Sequence, residues 1–142
     1  MDPENPIVKL CAEGMQAEAA GRLDAAKECF YRAWLSASDD YECCIAAHYV
    51  ARHQETLEET LHWNEECLRY ADLVGDGRVA GFYPSLHLNI GHSYEVLGDL
   101  PRAEEGYRLG EERLAVLPPG SYADMVKDGI TRGLERVRTR RD

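Results

Sequence analysis

The sequence predicts an all-α fold, built of helical hairpins in series and closed by a single terminal helix. Three observations carry this. Apolar residues recur at spacings of three and four, without sustained strand-like alternation. Glycine, proline and capping residues stand between those segments, where helices stop and start. One stretch, Leu88 to Leu114, is spaced as two antiparallel helices joined by a short turn, and its pattern recurs upstream.

Taken in order, Asn5-Pro6 opens the first helix: the asparagine caps and the proline takes a first-turn position that needs no N–H. Gly21 ends it near Ala20, and a second helix spans about 24–37. Asp39 and Glu42 fit a capping box for the third, which runs to about Gln54. Thr56 and Glu59 fit another for the fourth, which Gly75-Asp76-Gly77 breaks after Val74. The following RVAGFYPSLH admits two readings. It is a loop with Pro84 starting the fifth helix, or an early extension of that helix kinked by Pro84; the helical spacing of Val79, Phe82 and Tyr83 favours the extension. Gly98-Asp99 and Pro101 separate the fifth helix from the sixth. Leu117-Pro118-Pro119-Gly120 ends the sixth. Ser121 and Asp124 fit a third box, opening a seventh helix with the apolar stripe Val126, Ile130, Leu134 and Val137.

Gly91, Tyr94, Gly98, Ala103, Tyr107 and Gly110 lie at the spacing by which two helices pack with small residues at the contact and an aromatic between them. Gly14, Gly21, Ala26, Phe30 and Ala33 repeat the offsets of Gly91, Gly98, Ala103, Tyr107 and Gly110, and His48, Ala51, Thr60, Asn64 and Cys67 form a weaker middle copy. Ala33 to Cys67 is 34 residues; Cys67 to Gly110 is 43, so nine residues are inserted between the second and third copies. This pattern resembles the tetratricopeptide repeat, a 34-residue helix-turn-helix. The resemblance covers about 7–117 and sets out one domain over 1–142: repeats at about 7–40, 41–75 and 84–117, and a capping helix at about 121–138. It implies a right-handed α-α superhelix. Gly110 stands where the family has alanine, a change expected to loosen packing there, and His87 stands at the family's usual early tryptophan.

Composition excludes several functions. The net charge is −10, and residues 1–120 carry −12 of it, which disfavours nucleic acid. No apolar run is long enough to span a membrane, and MDPENPIVKL has no signal-peptide pattern, so a cytoplasmic protein is expected. Cys11, Cys29, Cys43, Cys44 and Cys67 form no CxxC pair and read as free thiols; adjacent Cys43 and Cys44 point about 100° apart on a helix. Phosphate-binding glycine loops and the GxSxG elbow are absent, so no enzyme activity and no cofactor are expected. The pairs His48/His53 and His87/His92 diverge at a spacing of five, and His62 with Glu66 lacks further ligands, so no metal site is expected.

The expected function is therefore binding. The resemblance implies that first helices of the repeats line a concave groove holding a peptide segment of a partner. It places Cys11, Met15, Glu18 and Ala19 there from the first repeat, and Ile45, Tyr49, Arg52 and His53 from the second. Ser85, Leu88, Asn89, His92 and Glu95 come from the third, and Val126 and Ile130 from the capping helix. Among these, Tyr49, Arg52, His53, Asn89 and His92 are the expected polar middle, with Met15 and Leu88 as apolar flanks. Arg52 offers a fork to a carboxylate and Asn89 a paired donor and acceptor to a peptide backbone. Some family adaptors grip a C-terminal diacid with Lys, Asn and Arg, but Cys11 and Met15 replace the expected Lys and Asn. The same groove, closed by the last helix, would serve a small-molecule or signalling-peptide sensor. Docking by the outer surface, where Trp34 and Trp63 lie, would make the chain an enzyme's accessory subunit or a homodimer.

Overall fold

The structure, a computed structural model, describes residues 2–141, with side chains to 140. Among these residues the chain forms seven α-helices and no strand: α1 (Pro6–Ala19), α2 (Leu23–Ser36), α3 (Asp40–Val50), α4 (Leu57–Val74), α5 (Tyr83–Leu97), α6 (Leu100–Glu112) and α7 (Ser121–Arg141). Two compact units meet in sequence between Arg78 and Val79, within the inserted residues.

The first unit is two hairpins, α1–α2 and α3–α4. Asn5 caps α1 by accepting the N–H groups of Ile7 (2.8 Å) and Val8 (3.2 Å), and its amide donates to Glu42 at 2.9 Å, tying that cap to the start of α3. Gly21, at φ 77°, turns the chain into α2. Gly14 lets α1 meet α2, because a methyl there would overlap the buried Phe30 ring. Phe30 is stacked by Tyr49, with ring centroids 5.3 Å apart.

Asp39 caps α3 by accepting from Glu42 N–H at 2.8 Å. Glu42 does not return the bond to Asp39 as the capping box expects; its carboxylate accepts from the Ser38 N–H and hydroxyl, both at 2.9 Å. Nor does α3 run as an α-helix to Gln54. It tightens into a 3-10 turn at Ala51–His53, and the Gln54 side-chain amide donates to the Val50 carbonyl at 2.8 Å, the acceptor that a further α turn would have given to the backbone. Thr56 caps α4 by accepting from Glu59 N–H, and its hydroxyl, rather than its backbone N–H as a capping box has it, donates to the Glu59 carboxylate, both at 3.1 Å. Gly75 closes α4 at φ 63°.

The second unit is the α5–α6 hairpin with α7 against it. The insertion is not the favoured extension kinked by Pro84; Pro84 stands at the start of the fifth helix, as the other reading has it, but the residues just before it are a turn rather than a loop. Ala80–Phe82 form a 3-10 turn that leads straight into α5 at Tyr83, with Pro84 in the first α turn, where it removes no needed donor. Val79 is wholly buried. A Schellman turn ends α5: Gly98 N–H bonds to the Glu95 carbonyl (3.1 Å) and Asp99 N–H to that of Tyr94 (2.9 Å). The α5 and α6 backbones nearly touch, since a Cβ on Gly106 would lie 2.9 Å from Gly91 Cα. Gly110 does not loosen the hairpin. A Cβ there would come within 3.0 Å of Ile130 Cδ1 and 3.2 Å of the Pro84 carbonyl, so those groups already fill its space. The α7 stripe Val126, Ile130, Leu134 and Val137 is buried with Ala103 and Tyr107, and Gly133 passes over the Tyr107 ring where no methyl fits.

Candidate functional site

The residues expected to bind lie in both units, and each unit places its own set. In the first, Met15 is exposed on α1. Tyr49 is not: at 9% exposure it belongs to the core, its ring on Phe30, with the Arg52 guanidinium carbon 5.7 Å from its centroid. Burial raises its phenol above the ordinary tyrosine value. Arg52 is exposed but engaged, its Nη2 lying 3.1 Å from Glu18 Oε1. The other oxygen of Glu18 bonds His53 Nε2, and the His53 ring lies parallel to Phe30 at 6.1 Å. Glu18, Arg52 and His53 thus form one neutralising cluster joining the end of α1 to the turn after α3. An incoming carboxylate has to compete with Glu18 for Arg52. Neighbouring His48 is held neutral, its pKa lowered to about 4 by burial and then by Arg52.

In the second unit, Asn89 and His92 are exposed on α5. Leu88 is half-buried, its Cδ2 against Gly129 of α7. Val126 and Ile130, expected from the resemblance to line a groove, are core instead, because α7 turns its apolar stripe onto α5 and α6. Glu95 is likewise withdrawn from binding. It accepts Tyr107 Oη–H at 2.6 Å, Arg136 Nε–H at 2.8 Å and Arg136 Nη2–H at 3.1 Å. These bonds, Arg136 first, hold its carboxyl below the usual range. Ile45 and Cys11 are also buried.

On α2 and α4 a second cluster forms. Trp34 and Trp63 meet edge to face at 5.0 Å, Tyr31 adds to Trp63 at 6.1 Å and Tyr70 to Trp34 at 5.9 Å. Both tryptophans are half-buried in this mutual packing rather than exposed together. Glu66, four residues from His62, is bonded by Arg69 at 2.7 Å. Among the described residues no cluster of three or more His, Cys, Asp or Glu is placed to hold a metal, and no helix is long and apolar enough to cross a membrane.

The hairpins, their glycine contacts and their aromatic fillers define a helical-repeat protein of tetratricopeptide-like fold. No protein-family model matches the chain, and no curated protein matches its sequence. Among solved structures it is similar to PcrH, seen in a crystal structure in complex with the chaperone binding region of PopD. The two share 18% identity at a TM-score of 0.65, over 96% of this chain and 93% of that one.

Proposed function

We propose that this chain is a tetratricopeptide-repeat adaptor, a non-enzymatic cytoplasmic module that binds an extended segment of a partner protein. The observation that carries this reading is the near end-to-end likeness to PcrH, whose structure holds a defined region of another protein. The proposed contacts are on the first helices of the hairpins and the turn after α3. Met15 and Leu88 supply apolar contact, Asn89 and His92 side-chain hydrogen bonds, and Arg52 and His53 the polar group nearest Glu18. Tyr49 supports this set from the core. Because Glu18 already neutralises Arg52, and residues 1–78 carry 16 acidic against 7 basic side chains, the segment is apolar with neutral or basic neighbours, not a strong acid.

The test is selection of binding peptides from a displayed random library, followed by fluorescence anisotropy with the selected peptide. Met15→Ala, Arg52→Ala, Asn89→Ala and His92→Ala are each expected to weaken binding at least several-fold. A double-mutant cycle between Arg52 and His92 reads whether one peptide engages both sets. Unchanged affinity in all four variants, with loss in Trp63→Ala, would move the interface to the aromatic face of α2 and α4.

A further inference from the structure

Cys44 on α3 and Cys67 on α4 have their sulfurs 3.7 Å apart, and both side chains are fully buried. Neither spacing nor motif marks them as partners, since they stand 23 residues apart. A disulfide needs the sulfurs about 2.05 Å apart, an approach of about 1.7 Å shared between two side chains. We propose that Cys44 and Cys67 are an oxidative modification site, converted by a peroxide-class oxidant into a disulfide that joins α3 to α4.

Cys67 S–H donates to the Cys44 carbonyl at 3.3 Å, and either sulfur can donate to the other across the 3.7 Å contact. The contact between the two thiols shifts both, Cys44 downward and Cys67 upward, and burial raises Cys67 further. Either sulfur of the pair can take the first oxidation, and the steps are the same with the two interchanged. Starting from Cys44, its sulfur, deprotonated, displaces hydroxide from hydrogen peroxide and becomes a sulfenic acid; the proton and the hydroxide form water. The Cys67 sulfur then displaces the sulfenic hydroxyl, which leaves with the Cys67 proton as a second water. Two thiols and one peroxide give one disulfide and two waters, sulfur being oxidised and peroxide oxygen reduced. Hydrogen peroxide is small and uncharged, and it reaches the pair as the hairpin opens locally. Two other cysteines compete poorly: burial pushes the Cys11 thiol up to about 12, and also raises Cys43.

The experiment treats the full chain with hydrogen peroxide, then maps it by non-reducing tryptic mass spectrometry. The expected product is an intramolecular bridge between peptides 33–52 and 53–69, assigned by fragmentation to Cys44 rather than Cys43. Closing the loop raises the thermal midpoint by several degrees, and a reductant reverses this. Cys67→Ala, which places at this position the residue that stands buried at Ala33, is expected to abolish both the bridge and the shift. A bridge through Cys43, disulfide-linked dimers, or sulfinic acid on a single cysteine with no bridge would overturn the proposal.

Discussion

The link between α7 and the hairpin it covers lends itself to a quantitative test. Arg136→Ala removes two charge-assisted bonds from Glu95, whose side chain is 9% exposed, while the arginine side chain is 48% exposed. Such a bond contributes about 1.5–3 kcal/mol when both groups are buried. With the guanidinium half in water, the pair of bonds together is worth about 2 kcal/mol. At 1.36 kcal/mol per decade, loss of that amount from local opening speeds amide exchange in α7 by about 30-fold. Hydrogen-exchange mass spectrometry on peptides from α7 measures this directly. Arg132→Ala is the control: its partner is Asp128 one turn away, both are well exposed, and exchange should change by less than about 2-fold. In a Glu95→Gln background, Arg136→Ala should cost about 1 kcal/mol less than in the wild type. An Arg136→Ala effect no larger than that of Arg132→Ala would show that the apolar stripe alone holds α7, and the assigned role of Glu95 would fall.

Acid should weaken the same link. Because the folded-state pKa of Glu95 is lowered, its stabilisation is present above the ordinary carboxylate value of 4.5 and is lost as pH falls through the folded value; Glu95→Gln should flatten this acid limb in chemical denaturation. Tyr107 carries the opposite sign. Its phenol is raised by burial and then by Glu95, so its contribution is present below the ordinary value of 10 and is lost as pH rises above it, measurable as alkaline destabilisation that Tyr107→Phe diminishes. Gly133→Ala should destabilise by about 1–3 kcal/mol in urea melts because its methyl meets the Tyr107 ring, whereas Gly77→Ala, with open space and no positive φ, should fall within about 0.5 kcal/mol of wild type. Ile130→Ala, at a wholly buried site, should cost about 2–5 kcal/mol by the same measurement.

Local chemistry made the helices legible. Asn5, Asp39 and Thr56 accept first-turn N–H groups, and Gly75 and Gly98 take left-handed conformations, because caps and stops depend on residues a few positions apart. What lies over a helix face was less legible. Periodicity gives the direction of Tyr49, Glu95 and Ile130, but not that Phe30, Arg136 and Gly110 meet them there. Gly106 carried a readable signal: Ala103, Gly106 and Gly110 are small residues at spacings of three and four, the stripe on which backbones approach. The Cys44–Cys67 contact follows from a hairpin register that neither cysteine reveals alone. For the expected contacts, sequence named residues that now divide into exposed (Met15, Arg52, Asn89, His92), half-buried (His53, Leu88) and buried (Tyr49).

The placement of the two tryptophans also governs how this molecule reports on itself. Trp34 and Trp63 both lie before residue 79, in edge-to-face contact, and α5 to α7 contain no indole. Intrinsic emission is thus a built-in optical label for one half of the chain. A melt or titration followed only by that light would record α1 to α4 and leave the fraying of α7 dark, while circular dichroism, which registers every helical peptide bond, would register both halves.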